Sequence, residues 1–317
     1  MKLRFIIFFL MLIPCFIFAQ RAYIPWYTGP LIADDGANLD KGLVNIQPYL
    51  FFRDTPGVHS KVWGHHSNPS TFTFQAEMEL QFGITHWLDC TLVGQTFYKE
   101  KGGEDDFDVG DSTVKFGLQF LRGKDFTSIP YIRLTIQENF PTGRYNNINP
   151  SKSSIGSTGS GSYETIVDFI LEKTVYWFES HPICWRFNSS YTYSSKVSVK
   201  NFNVYGGGFG TRGKVSPGGT FKEVLAFEFS FTQKWVLAMD TVYVYARKTT
   251  FSGDAGITSE GRVASSSHSK SHQTSLAPAI EYNFSKNLGV LAGYHFAISS
   301  KNATKFKSGI ITATYTF

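Results

Sequence analysis

The sequence has few charged residues for its length. Asp, Glu, Lys and Arg make up 17% of its 317 residues, whereas soluble domains average about 25%. The formal net charge of +5 is small, and the basic residues are scattered along the chain. Both features disfavour a nucleic-acid-binding surface, so no nucleic-acid partner is predicted.

Long apolar runs are absent beyond the N-terminus, so the rest of the sequence offers no membrane-spanning helix. Cysteine is also scarce, with three in the chain. Two of them, Cys90 and Cys184, are predicted to face opposite sides of a sheet. That arrangement disfavours a disulfide even in an oxidising compartment.

The N-terminus has the layout of a secretory signal peptide. Two basic residues precede an apolar stretch from Phe5 to Phe18, which is too short to span a membrane as a helix. Ala19 supplies the small residue that precedes a cleavage point. Residues 1–19 are therefore predicted to direct export and to be removed.

Aromatic residues and glycine are abundant instead. Aromatics account for 16% of the chain, with 30 Phe and 16 Tyr, and there are 29 glycines. Many aromatics and glycines with few charges are typical of a β-barrel that has an apolar exterior.

Apolar and polar residues alternate most clearly from Thr71 to Thr85. One face carries Phe72, Phe74, Ala76, Met78, Leu80, Phe82 and Ile84, and the other carries Thr73, Gln75, Glu77, Glu79, Gln81 and Gly83. A helix would mix these two sets, because its period is about 3.6 residues. Eleven further segments are predicted as strands on the same pattern, although the facing of residues 235–247 is ambiguous. The pattern predicts an all-β protein, a transmembrane up-and-down antiparallel β-barrel of about 12 strands, over residues 43–317.

The connections between the predicted strands alternate in length. Those at 85–87 and 285–287 are short, those at 195–220 and 248–273 are long, and 173–182 is intermediate. Short periplasmic turns and long extracellular loops show this alternation in membrane barrels. The long loops are rich in Gly, Ser, Asn and Lys, and we expect them to be mobile and exposed. An even number of strands places both termini on the periplasmic side.

The chain ends with a strand-like alternation that finishes at Phe317, with Tyr315 two positions earlier. These two residues resemble the C-terminal signal that the assembly machinery of bacterial outer-membrane barrels recognises. The resemblance implies two partners, the barrel-assembly machinery and outer-membrane lipid.

Several short motifs carry a second resemblance. They are Gly29-Pro30-Leu31, Gly42-Leu43-Val44-Asn45-Ile46-Gln47-Pro48-Tyr49, Gly83-Ile84-Thr85-His86-Trp87-Leu88-Asp89, Gly110-Asp111-Ser112-Thr113-Val114-Lys115-Phe116-Gly117, Pro141-Thr142-Gly143-Arg144 and Tyr282-Asn283-Phe284-Ser285-Lys286-Asn287. Together they resemble the outer-membrane proteins grouped as the phenol-degradation MetA-pathway family. The resemblance covers most of the chain after residue 19. It implies a porin-like protein of the Gram-negative cell envelope that transports small solutes, apolar ones included.

The inward faces of the predicted strands contain the candidate functional residues, which would line the lumen. They are Glu77, Glu79, Asp111, Lys115, Arg133, Glu164, Asp168, Glu172, Arg186, Glu228, Glu281 and His295. With Asp89 and Lys222, this gives nine acidic and four basic inward residues. If the lumen holds water, the acidic excess favours cations or neutral solutes over anions.

Two interpretations of the lumen stay open. A narrow pore would make the protein a channel or facilitator for small solutes. A lumen packed shut by paired charges would make it a structural or surface-interaction barrel with exposed extracellular loops. Residues 20–42 precede the first strand and suit either a plug inside the barrel or a periplasmic tail.

The sequence offers no catalytic or metal-binding pattern. His295 is the clearest histidine within a strand, and no Ser-His-acid spacing accompanies it. The loop histidines His59, His65 and His66 lack a metal-ligand spacing with cysteine or carboxylates. No enzymatic activity, catalytic residue, metal or cofactor is therefore predicted.

Overall fold

The computed structural model describes Tyr23 and residues 25–59, 65–178 and 181–317. The predicted signal peptide, residues 1–19, lies outside the described residues. Within the described ranges, no helix has the length and apolar character needed to cross a membrane.

Strands dominate the described part of the chain. In chain order they are β1 (Val44–His59), β2 (His65–Thr85), β3 (Leu88–Lys101), β4 (Glu104–Val109), β5 (Ser112–Leu121), β6 (Tyr131–Phe140), β7 (Glu164–Phe178), β8 (His181–Ser194), β9 (Val197–Lys200), β10 (Arg212–Ser216), β11 (Thr220–Ser230), β12 (Trp235–Ala246), β13 (Thr250–Asp254), β14 (Ser271–Ser285), β15 (Leu288–Lys301) and β16 (Thr304–Thr316). One 3-10 turn, Pro150–Lys152, lies between β6 and β7.

Twelve of these strands close into an antiparallel barrel. The order around the barrel is β1, β2, β3, β5, β6, β7, β8, β11, β12, β14, β15 and β16, and β16 pairs back with β1. The seam is closed by Val44 and Phe317, whose amide nitrogens and carbonyl oxygens exchange hydrogen bonds of 2.8 and 2.9 Å. The predicted 12-strand architecture is confirmed.

The outer wall is apolar, as the period-two alternation predicts. Met78, Phe169 and Leu225 expose 42%, 43% and 52% of their surface. Their neighbours on the inner face are buried, for example Ile170 at 0%. Because successive side chains in a strand point to opposite faces, this contrast fixes which face meets hydrocarbon.

The connection between β7 and β8 is shorter than the sequence indicated. β7 continues to Phe178 and β8 begins at His181, so the prediction of an intermediate connection over 173–182 is wrong. Pro182 pairs with Tyr176 as the second residue of β8. A proline is tolerated there because the start of a strand can lack one ladder donor.

Two long loops meet in a small sheet of their own. β9 and β10, from the loop after β8, pair with β13, from the loop after β12. Val197, Val199 and Val215 are almost fully buried in its core. The expectation that these loops are exposed is therefore wrong for the three valines, which give β9 and β10 a face to bury.

The loop between β6 and β7 packs against this small sheet. Its Ile148 and Ile155 expose 3% and 1% of their surface, and the Ile148 amide donates to the carbonyl of Phe202. The guanidinium of Arg144 in this loop binds Asp108 of β4, with a closest distance of 2.6 Å. Burial of Asp108 favours its neutral form, but the hydrogen bond from Arg144 prevails and lowers the pKa of the carboxyl.

Candidate functional site

The inner segment, residues 25–42, lies inside the barrel. It begins near the turn between β14 and β15, where the side-chain amide of Asn283 donates to the carbonyl of Trp26. It ends beside β2, where the amide of Gly42 donates to the carbonyl of Gly83 over 2.8 Å. Both contacts lie at the turn side of the barrel, so the segment crosses that half of the lumen.

Backbone amides of the inner segment donate to side chains of the barrel wall. The bonds are Thr28 to Glu281 (2.6 Å), Gly29 to Glu228 (3.2 Å), Leu31 and Ala33 to Asp240 (3.1 and 3.0 Å), Gly36 to Glu172 (2.9 Å), Asn38 to Gln119 (2.6 Å) and Leu39 to Asp89 (3.0 Å). The segment has no strand ladder, and buried N–H groups need acceptors. Carboxylates on the wall supply most of those acceptors.

Apolar side chains of the inner segment rest on an apolar part of the inner wall. Leu31 packs against Ala238, Ala279 and Leu291, among others, and Ala33 packs in a second cluster formed by β11 and β12. A uniformly polar interior, as the alternation implied, is wrong for this side of the barrel. Small inward residues such as Ala279 leave the space that the segment fills.

Arg186 on β8 is the centre of the charged side of the lumen. Its side chain is 4% exposed and binds three carboxylates, those of Glu172 (2.8 Å), Glu228 (3.0 Å) and Asp35 (2.9 Å). Two of these acids belong to the wall and one belongs to the inner segment. Because a buried charge needs partners, Arg186 joins the segment electrostatically to β7 and β11.

Two further ion pairs continue this charged side. Arg133 on β6 holds both oxygens of Asp89, at 2.7 and 2.9 Å, and Lys115 on β5 contacts Asp34 of the inner segment at 3.0 Å. Gly117 lies beneath the first pair, where an added Cβ would come within 2.2 Å of the Arg133 guanidinium. A side chain at position 117 would therefore displace the pair.

The loop side of the lumen contains acids without such partners. Glu77, Glu79, Glu164 and Asp168 are all partly exposed, and none forms an ion pair with any described Lys or Arg. Glu77 accepts a hydrogen bond from Gln75, and Asp168 has only a 3.5 Å contact with Asn188. This half of the lumen therefore contains carboxylates that no ion pair holds, together with the inward cations Arg53 and Lys222.

The twelve residues predicted to line the lumen separate into three groups. Lys115, Arg133, Glu172, Arg186, Glu228 and Glu281 contact the inner segment or the ion pairs beneath it. Glu77, Glu79, Glu164, Asp168 and His295 lie further toward the loops, where His295 hydrogen-bonds Ser275 over 2.8 Å. Asp111 instead accepts hydrogen bonds from the amides of Gly143 and Ser160, so it stabilises the loop between β6 and β7.

Sequence reasoning missed four residues of this site. Asp34 and Asp35 lie in a stretch with no periodicity, and Asp240 and Gln119 bind its backbone. Asp240 was missed because the facing of residues 235–247 was ambiguous in the sequence. The usable signal was the small size of the residues near Asp240 in the sequence. An acid beside small inward residues such as Ala238 has room to bind another chain segment.

Two cavities remain on either side of the inner segment. One of about 330 Å³ opens on the turn side and is lined by Asn45, Glu172 and Asn283, among others. The other, about 50 Å³, lies toward the loops and is lined by Tyr49, Glu79 and Lys115, among others. Thr28 and Asp35 border both cavities, so the segment separates them.

No group of three or more acids, histidines or cysteines within the described ranges is arranged to hold a metal ion. Cys90 and Cys184 are both free thiols. The chemistry that the described lumen offers is therefore charge, hydrogen bonding and apolar contact.

A closed barrel with an apolar outer wall and a charged inner face is the architecture of an outer-membrane β-barrel. No protein-family model and no curated protein matches the chain. Among solved structures, the chain is similar to an outer-membrane channel from Pseudomonas putida F1, with 12% identity and a TM-score of 0.66 over 89% of this chain and 98% of that one.

Weaker similarities involve two other barrels. The transport unit of the autotransporter AIDA-I from Escherichia coli has 11% identity and a TM-score of 0.46, over 90% of this chain and 94% of that one. The NanC porin has 10% identity and a TM-score of 0.40, over 85% and 98%. At these identities the Pseudomonas channel establishes the fold, that of a 12-strand outer-membrane barrel.

Proposed function

We propose that the protein is an outer-membrane channel or facilitator for small solutes, exported by its N-terminal signal peptide. The observation that carries this proposal is that the wall closes without the inner segment. Residues 28–39 bind the wall through side-chain acceptors and take no part in its ladder. Removing the segment would leave a continuous lumen through an intact barrel, and no catalytic step is required.

Charge on the loop side defines which solutes the channel would favour. Glu77, Glu79 and Asp168 face the lumen without ion-pair partners among the described residues. Negative charge in a confined low-dielectric passage concentrates cations and repels anions. We therefore assign the channel to cationic and neutral solutes.

The turn side adds an apolar contribution. When the inner segment leaves, Ala238, Leu291 and Ile310 on one side would face Arg186 and Glu172 on the other. Such a passage suits solutes that have both an apolar face and a polar one. This supports the inclusion of partly apolar compounds among the small solutes.

A disulfide that locks the inner segment to the wall would test the proposal. A Cβ built at Gly289 lies 3.2 Å from the Cβ of Thr28, close to the roughly 3.8 Å typical of disulfides. We expect the oxidised double variant Thr28→Cys/Gly289→Cys to be closed in planar bilayers. Reduction should restore conductance to the wild-type level or above, because the segment can then leave the lumen.

Each single cysteine variant serves as a control and should not respond to reductant. A channel that conducts equally with the disulfide formed would show that the segment does not gate it. The alternative of a structural, permanently occluded barrel is supported by the many bonds that hold the segment. It predicts no conductance in either redox state and no solute uptake by liposomes, and conductance only after residues 25–39 are deleted.

A further inference from the structure

Four basic side chains meet in a groove on the outer wall, at the loop end of β8, β11 and β12. We call it the outer groove, and its volume is about 910 Å³. Its lining includes the bases Arg247, Lys248, Lys270 and Lys301 and the aromatic side chains of Tyr191 and Tyr245. Arg247 and Lys248 begin the loop between β12 and β14, Lys270 ends it, and Lys301 lies at the hairpin between β15 and β16, so the fold brings the four together.

The positive charge of the outer groove is not compensated. No acidic residue is among its lining, and none of its four basic side chains forms an ion pair with a described carboxylate. Elsewhere in the loops, Arg144, Lys152 and Arg262 each bind an acid. The next outward-facing acid on β11 is Glu223, two residues beyond Phe221, and it does not line the groove.

The outer groove continues down the membrane-facing wall as an aromatic surface. A second cavity of about 290 Å³ shares Tyr191, Tyr245 and Arg247 with it and adds Phe221. Gly219 permits this continuity, since a Cβ there would lie 2.2 Å from the Tyr191 hydroxyl. The site therefore has a cationic upper part and an aromatic lower part at the level where headgroups meet hydrocarbon.

We infer that the outer groove binds a phosphorylated glycolipid of the outer leaflet, of the lipid A class. Its phosphate would contact Arg247, Lys248, Lys270 and Lys301, and an acyl chain would lie along Tyr191 and Phe221. Lysine and arginine form charge-assisted hydrogen bonds with phosphate, and clusters of them bind anionic lipid headgroups. This inference is independent of transport, because the groove lies outside the barrel.

Native mass spectrometry of the full chain in detergent, with bis-phosphorylated lipid A as the probe, would test the inference. We expect Arg247→Gln/Lys270→Gln/Lys301→Gln to bind the lipid at least about tenfold more weakly than wild type. The matched control is Lys200→Gln/Arg212→Gln/Lys214→Gln, which removes three exposed charges from the small loop sheet outside the groove. The control should retain wild-type binding.

Two further measurements decide between sources of the same chemistry. Lipid A with both phosphates removed should bind weakly, and glucosamine phosphate without acyl chains should fail to compete. Equal binding of the dephosphorylated lipid, equal competition by the sugar phosphate, or full binding by the triple variant would each overturn the inference. If the triple variant folds poorly, the single variant Lys270→Gln, tested with wild type across a salt series, should show weaker binding and a smaller salt dependence.

Discussion

The two halves of the lumen both contain inward carboxylates, but the carboxylates have different roles in each half. On the turn side, Glu172 and Glu228 are each matched to Arg186 and to a backbone amide of the inner segment. On the loop side, Glu77 and Glu79 face partly solvated space with no ion-pair partner among the described residues. Carboxylates that hold a structure together need buried donors, whereas carboxylates that attract solutes must be left unpaired.

The largest effect is expected from Arg186→Met. It removes the partner of three carboxylates, two of them almost fully buried, and breaking a buried ion pair costs about 3–5 kcal/mol. We expect a matching loss in the free energy of unfolding in denaturant, together with protease cleavage of the inner segment. Lys222→Met, an inward cation without an ion pair, should lose less than about 1 kcal/mol; comparable losses would mean that the two halves do not differ.

A smaller effect is expected from Asp240→Asn. Asp240 accepts the amides of Leu31 and Ala33 at 3.1 and 3.0 Å, and the amide group of Asn would turn a donor toward one of them. The expected loss of stability is about 1–3 kcal/mol, with faster hydrogen exchange at both amides. Asp168→Asn on the loop side is the matched control. A loss of stability as large as that of Asp240→Asn would show that carboxylates of the two halves contribute equally to stability.

The acids on the loop side should affect ion selectivity rather than stability. We expect Glu77→Gln/Glu79→Gln to lower the ratio of cation to anion permeability severalfold in dilute salt, and less in 1 M salt, where charges about 3 Å apart are already screened. Reversal potentials across a salt gradient would measure the ratio. Glu138→Gln, an outward acid bound by Thr165, should leave it unchanged.

The smallest expected effect is a pH dependence of the stability of the loop between β6 and β7. The pKa of Asp108 is lowered by Arg144 despite the effect of burial. The stabilisation of the loop by the Asp108–Arg144 interaction is therefore fully present above the ordinary aspartate pKa of about 3.9. That contribution should be lost only as the pH falls through the lower pKa of the folded state. Hydrogen exchange over residues 143–146 should then rise in acid for wild type, and should already be raised at neutral pH for Asp108→Asn.

The barrel could be predicted because its cause is local. Alternation with period two, seen from Thr71 to Thr85, determines which face of a strand meets hydrocarbon without reference to the rest of the chain. The path of the inner segment could not be predicted in this way. Its amides bond to residues between 50 and 253 positions away, and the segment itself has no period.

The candidate site was predicted in part for the same reason. The side of the sheet on which a residue lies follows from alternation, so Glu79 and Glu228 could be placed inside. Whether each carboxylate has a partner depends on the inner segment, whose position the alternation does not constrain. The small residues Ala277, Ala279 and Gly293 were the remaining signal. A Cβ at Gly293 would lie 2.5 Å from Leu31, which shows how closely the wall accommodates the segment.

The order of contacts along the inner segment has a mechanical consequence. From Thr28 to Leu39 its amides meet β14, then β11 and β12, then β7, β5 and β3. A pull on the upstream end would therefore load one anchor at a time, so the segment would unpeel in small steps instead of rupturing at once. Because the barrel ladder is independent of these contacts, it would stay intact while the segment leaves.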